Sequence, residues 1–221
     1  MVSLAIPRAT CAYSTSTGQG ASDKIRKVAV LIASARIPCN GAGIGAWLKP
    51  VISDSLASVP HTVEVLSPTT PPLPVGPIVD GTYLPAGIKD PALYPSETIR
   101  KWSAYVSSTD LLVFLTPEYN SGFPGELKNA LDHRYWEWRD KPAIIASYGS
   151  AGGPRAAEML RGIVGNSLRM RLTEKSLEIK LPKEYTGGAQ KVPLVAPFPE
   201  FLDSYQTDVH EAIDEVKKWW A

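Results

Sequence analysis

The sequence predicts a three-layer α/β/α sandwich around a parallel sheet, and three observations lead there. Short runs that are apolar apart from an end residue (KVAVLIA at 27–33, DLLVFL at 110–115, AIIAS at 143–147) alternate with stretches of helical periodicity. A strand that is apolar at every position is buried on both faces, which requires helices on each side of the sheet. The 221 residues, 44% hydrophobic and 20% charged, suffice for one well-buried core and are short for two.

The first strand, at 27–33, leads through a polar, Gly-bearing turn into a helix at 44–56. There Trp47, Leu48, Val51, Ile52 and Leu56 recur at helical spacing. A shorter strand (TVEVL) follows at 62–66. Residues 67–95 have no periodicity and hold eight prolines. A structureless stretch of that length is a functional loop or a linker, and too little regular chain precedes it for a linker. A helix at 97–108 aligns Ile99, Trp102, Tyr105 and Val106, with Ser96 as its N-cap. The strand at 110–115 turns sharply into a helix at 124–132 or beyond, opened by Pro124, whose missing N–H costs nothing in a first turn. After the strand at 143–147 come a Gly-rich turn, a helix at 155–170 and an edge strand (SLEI) at 176–179. The closing amphipathic helix at 203–220 puts Val209, Ile213, Val216 and Trp220 on one face.

The first 26 residues, rich in Ser, Thr and Ala with Asp23 as the one acid, read as a disordered tail. A transit peptide would need a better amphipathic pattern than Arg8, Lys24 and Arg26 provide. Residues 27–221 read as a single domain.

A formal charge of +1 gives no bulk electrostatic case for nucleic acid or an anionic membrane, and no apolar run is long enough to span a bilayer. Cys11 and Cys39 match no zinc spacing and cannot form a disulfide framework, so a reducing, cytoplasmic compartment is expected. His61, His133 and His210 are scattered, and no metal site is expected.

In a doubly wound sheet, ligands bind beyond the carboxyl ends of the strands, near the point where strand order reverses. That rule selects the loops at 34–43, 116–122 and 148–154. The first (SARIPCNGAG) offers Ser34, Arg36 and the amides of a following helix, a donor set for a phosphate monoester. It is neither a Walker loop nor a G-x-G-x-x-G fingerprint, and the same residues would also serve as a Ser N-cap beside a solvated Arg. In the second, Tyr119 can cover a flat heterocycle and Asn120 can bond its edge; a rigid turn with a packed Tyr is the alternative.

Residues 116–132, TPEYNSGFPGELKNALD, resemble the signature of the NADPH-dependent FMN reductase family, which includes flavodoxin-like quinone, chromate and azo-dye reductases. Ser34-Ala35-Arg36 followed by Gly41, Ile44 and Trp47 is similar to the family's phosphate loop, and 147–157 (SYGSAGGPRAA) to its Ser-Tyr-Gly-x-x-Gly-Gly segment. The resemblance runs from about 27 to about 181. It implies a flavodoxin-like fold of five parallel strands in the order 2-1-3-4-5, and FMN as cofactor with NADPH or NADH as co-substrate. It assigns the phosphate to Ser34, Arg36, Cys39, Asn40, Gly41 and Ile44. Pro117, Glu118, Tyr119 and Asn120 would line the ribityl chain and ring, and Tyr148, Gly149 and Ser150 would meet the ring's other edge. Two departures are Ala33, where a Gly commonly precedes the phosphate-loop Ser, and Cys39, where many relatives carry Ser or Arg.

The implied reaction passes hydride from the nicotinamide to flavin N5 and on to a quinone-like acceptor at the same face, a ping-pong scheme with no catalytic side chain. Tyr83 and Tyr94 are stacking groups of a wall formed by 67–95, or anchors of that loop. Arg155 attracts NADPH phosphates or is simply solvated. The family resemblance implies a homodimer or tetramer. In the aromatic cluster at 133–139 (HRYWEWR) a core reading takes Trp136 or Trp138 inward, but hardly all of Tyr135, Trp136 and Trp138, and the aromatic and Arg enrichment favours a subunit interface. Trp219 and Trp220 are packed or interfacial. The rival readings are a flavodoxin-type electron carrier, disfavoured by the near-neutral charge, and a protein-binding module controlled by flavin redox state.

Overall fold

A computed structural model describes residues 24–73, 76–77, 83–187 and 189–221; the tail expected at 1–26 lies outside them except for its last three residues. Six strands form one parallel sheet: β1 (Arg26–Ile32), β2 (His61–Leu66), β3 (Leu111–Pro117), β4 (Pro142–Gly149), β5 (Arg171–Leu172) and β6 (Leu177–Lys180). Their order is β2-β1-β3-β4-β5, with β6 also on β4. The expected single edge strand is thus two short pieces in one lane, β5 on Pro142–Ala143 and β6 on Ala146–Gly149. The chain leaves the lane between them, where the Thr173 hydroxyl bonds the Lys175 carbonyl.

Strand parity divides the core. Val28, Val30, Ile32, Leu111, Val113, Leu115, Ile144 and Ala146 face α1 (Asn40–Ser55) and the closing helix α6 (Gln206–Trp220). Ala29, Leu31, Leu112, Phe114, Ala143 and Ile145 face α2 (Glu97–Ser108), α3 (Gly125–Asp132) and α4 (Pro154–Arg161). Every residue of β3, the central strand, is buried. β2, at the edge, buries only part of its side chains. A one-turn helix, α5 (Lys183–Thr186), follows β6.

Several boundaries differ from the sequence-based expectation. β1 starts at Arg26, whose guanidinium lies 4.9 Å from the Trp220 ring centroid and bonds the Trp220 carbonyl. α1 starts at Asn40, four residues early, so Asn40, Gly41 and Ile44 are helical. Ser96 precedes α2 without a side-chain capping bond. α4 gives way at Gly162 to a π-helical turn ending at Ser167, and α6 starts at Gln206 after a 3₁₀ stretch.

The cluster at 133–139 is divided: His133, Arg134 and Trp138 turn inward, while Tyr135 and Trp136 are half-buried and Arg139 is exposed. Arg134 and Trp138 are almost wholly buried. The Arg134 guanidinium lies 4.4 Å from the Trp102 ring centroid and 4.9 Å from that of Trp138. Both indoles donate to α3 carbonyls, Trp102 to Ala130 and Trp138 to Leu131. Tyr94 is also buried and bonds Glu137, and Tyr83 packs edge-on against it. Tyr94 therefore anchors the Pro-rich segment to the core and is not a stacking group. Trp219 packs under the Arg171 guanidinium at 4.5 Å.

Candidate active site

Parallel pairing levels the carboxyl ends of β1, β3 and β4: Ile32 is opposite Leu115, and Pro117 is opposite Tyr148. The loops that leave them meet. Ser34, 2% exposed, accepts the Arg36 amide proton at 3.2 Å, which folds the loop over its own strand end. Its hydroxyl lies 2.7 Å from the Tyr119 phenol oxygen. The exposed Arg36 places its guanidinium 3.9 Å from the Tyr119 ring centroid, within cation–π range. Cys39 is the N-cap of α1, in extended backbone and without a side-chain capping bond. The first amides of α1 therefore receive no acceptor from the cap residue, and such amides attract an anion.

The second loop is a tight hairpin. Tyr119 and Gly122 exchange two backbone hydrogen bonds, at 2.7 and 3.0 Å, around Asn120 (φ 49°) and Ser121 (φ 66°). Two successive left-handed residues define a type I′ turn. Asn tolerates that conformation, while for Ser it stores strain of the kind that collects at functional sites. Asn120 stands exposed at the tip.

The second loop is tied to the third. The Glu118 amide donates to the Tyr148 carbonyl at 3.2 Å. The Glu118 carboxylate accepts Nε of Arg155 at 2.7 Å and its amide at 3.2 Å, with Nη2 at 2.5 Å. This pairing holds the carboxyl below the usual glutamate value. In the third loop Ser147 donates to the Gly152 carbonyl at 2.7 Å, and Gly152 and Gly153 have φ of 89° and 78°. A Cβ on Gly152 would stand 2.9 Å from the Glu178 carbonyl oxygen, so the loop crosses β6 at a distance only glycine permits.

Ser34, Arg36, Glu118 and Tyr119 are thus assembled at the carboxyl end of the sheet, with Asn120, Gly149 and Ser150 on the adjoining turns. Three other expected residues point elsewhere. Tyr148 shares the parity of Ile144 and Ala146, so its ring is buried below α1. There burial raises its pKa. Ile44 is a core residue. The Asn40 amide is engaged on both sides, donating to the Tyr185 carbonyl at 2.8 Å and accepting from the Val192 amide at 3.0 Å.

A cavity of about 460 Å³ opens beside the first loop, and Ser34, Arg36 and Cys39 share it with Ser67, Lys191 and Val192. That size suits a small organic ligand. Lys191 and Val192 come from a stretch with no periodicity and no motif, and nothing in the sequence marked them.

The sequence model of the NADPH-dependent FMN reductase family matches residues 26–179. The chain is 34% identical over 158 residues to the NAD(P)H-dependent FMN reductase LOT6 of Saccharomyces cerevisiae, covering 71% of this chain and 81% of that protein. It is 28% identical over 204 residues to the NAD(P)H-dependent FMN reductase ntnL of a Nectria species, covering 87% and 96%. Among solved structures, the flavoenzyme NAD(P)H:(acceptor) oxidoreductase FerB of Paracoccus denitrificans superposes with a TM-score of 0.63 at 19% identity, covering 88% of this chain and 98% of that one. This last likeness bears on the fold alone.

Proposed function

From the premise that this chain belongs to the NADPH-dependent FMN reductase family, we propose that it binds FMN across the ends of β1, β3 and β4 and reduces a quinone or similar small acceptor at the expense of NAD(P)H. The residues present suit that cofactor. Arg36 and the uncapped start of α1 supply positive charge for a phosphate. Gly41 keeps the helix start low: a Cβ there would come 2.7 Å from the Tyr148 hydroxyl. The hairpin and the glycine loop present backbone groups to a flat ring.

In this reading Ser34 and Arg36 hold the phosphate, with the backbone of Cys39 and Asn40 behind them. Pro117, Glu118, Tyr119 and Asn120 border the ribityl chain and ring. Gly149 and Ser150 border the far edge, and Tyr148 contributes there through its backbone. Bound FMN supplies the redox chemistry, accepting a hydride from NAD(P)H and passing electrons to the acceptor. The protein's own groups orient and shield, and no side-chain acid or base is required. One site that serves both substrates in turn gives ping-pong kinetics. Quinone reductases among the relatives, such as that of Pseudomonas putida at 31% identity over 103 residues, support a quinone as acceptor.

The observation that carries this reading is the junction of the first two loops, with Ser34 and Arg36 both on Tyr119. The test is a visible spectrum of the purified protein, followed by anaerobic titration with NADPH and then a quinone. Flavin bands that bleach and recover, with parallel double-reciprocal plots, are expected. A preparation that stays colourless and ignores added FMN overturns the reading.

A further inference from the structure

Beyond the family match, which ends at residue 179, the chain does not run straight to α6. After α5 it lies as a strap over the start of α1. Tyr185 and Val192 are buried, and the Asn40 side chain bonds a backbone group on each. An amide is suited to this, since it donates from nitrogen and accepts at oxygen together. Gly43 leaves room for the Val192 carbonyl against the helix. The cavity of about 460 Å³ lies between this strap and the first loop. Ser67, which follows β2, lines it, and no residue of the second or third loop does. It therefore opens on the β2 side of the first loop, away from the hairpin and the glycine turn.

We propose that this cavity is a second binding site, separate from the cofactor's, for an uncharged apolar small molecule. The proposal goes beyond the FMN reading and does not depend on it. The walls are mostly hydrocarbon: Ile32 and Ala42 line the inner part, and Ile37 and Leu194, both largely exposed, stand at the mouth. The polar side chains among them are already engaged. The Ser34 hydroxyl serves Tyr119 and the Arg36 amide, and that of Ser67 serves Thr69. The Lys191 ammonium donates to the Gln190 carbonyl, and the Arg36 guanidinium is turned onto the Tyr119 ring. A polar ligand would lose its hydration here and find no free partner. An apolar one gains in proportion to the area it buries. The volume is about three times the ~150 Å³ that admits benzene, enough for two or three linked rings or a hydrocarbon chain of similar bulk.

The test is equilibrium dialysis of the full-length protein, deflavinated and FMN-saturated, against two probes. Phenylnaphthylamine is neutral and apolar, and anilinonaphthalene sulfonate is the same skeleton with an added sulfonate. The neutral probe is expected to bind at least about tenfold more tightly than the sulfonate, and equally well with and without FMN. Leu194→Gln, at an exposed position, is expected to weaken the neutral probe about tenfold and to leave FMN affinity unchanged. Ala42→Phe fills the inner part and abolishes probe binding. Tighter binding of the sulfonate, displacement of the neutral probe by FMN, or unchanged probe binding in Leu194→Gln overturns the proposal. A protein that binds the neutral probe but no FMN refutes the FMN reading alone.

Discussion

The guanidinium of Arg36 lies 3.9 Å from the ring centroid of Tyr119, although the two residues belong to loops leaving different strands. The Ser34–Tyr119 hydroxyl contact locks the same junction from below. Arg36 is exposed, so its removal leaves the core intact. Arg36→Ala is expected to raise the FMN dissociation constant about 10- to 100-fold, the range for losing a charged hydrogen bond to phosphate. Arg36→Lys should recover part of it, since the charge remains but the planar fork is lost. Fluorescence titration checks this, and unchanged affinity in Arg36→Ala refutes the assigned role.

The alternation that made β1, β3 and β4 legible in sequence also named the three loops, because wholly apolar strands have few alternatives to a parallel sheet. Side-chain direction at the strand ends was harder to read. Tyr148 follows its strand's parity into the core, and a motif cannot show parity until the strand boundaries are known. The start of α1 at Asn40 was hidden because a Cys N-cap without a capping bond gives no start signal. At 133–139 composition does not show which aromatic goes inward: Trp138 is buried, while Tyr135 and Trp136 stay half-buried. The two indoles that flank the Arg134 guanidinium, edge-to-face with each other, come from Trp102, distant in sequence, and from nearby Trp138. The Asn40–Val192 bond spans 152 residues and leaves no local trace.

That buried arginine makes a prediction of its own. Its Nε and Nη1 are buried without hydrogen-bond partners among the described residues, and burial pushes its pKa down to about 9. A buried charge with unmet donors adds little stability, and apolar replacements of similar volume are often neutral or favourable. Arg134→Met is therefore expected to change unfolding free energy by less than about 1 kcal/mol. Trp102→Ala, which empties the neighbouring core and breaks the bond to Ala130, should cost about 3–5 kcal/mol. Urea denaturation of the two variants decides the comparison.

Gly43 and Gly125 separate steric need from helix propensity. Both are helical, but a Cβ on Gly43 would collide with the Val192 carbonyl, while one on Gly125 meets nothing within 4 Å. Gly125→Ala should stabilise by about 0.5–1 kcal/mol. Gly43→Ala should destabilise by about 1–3 kcal/mol, as the strap is forced off the helix. Thermal melts that move in the same direction for both variants would contradict the packing described.

Cys39 occupies an N-cap with the extended backbone a capping residue needs, φ −136° and ψ 150°, yet makes no side-chain bond. A serine hydroxyl there can accept an amide of the first turn. Cys39→Ser is expected to stabilise the protein by roughly 0.5–1 kcal/mol, seen as a rise of about 1–4 °C in melting temperature. A lower melting temperature would mean that the thiol's packing against the core outweighs the cap.

The Glu118–Arg155 pair makes one link between the second and third loops sensitive to pH. Arg155, by hydrogen bond and then by charge, lowers the Glu118 pKa from its ordinary 4.5. A carboxyl whose folded pKa lies below its unfolded value contributes stability fully above the unfolded value and loses it as pH falls through the folded one. The contribution is therefore constant at neutral pH, begins to fall near pH 4.5 and disappears in more acidic solution. Arg155 is largely exposed, so solvent screening limits the pair to less than about 1 kcal/mol. Glu118→Gln should melt slightly below the wild type at pH 7, with the gap closing as pH is lowered through this window. Added salt at pH 7 should narrow the same gap, because screening weakens an exposed pair. A gap that is insensitive to both pH and salt would assign the link between the loops to the Glu118–Tyr148 backbone bond rather than to the ion pair.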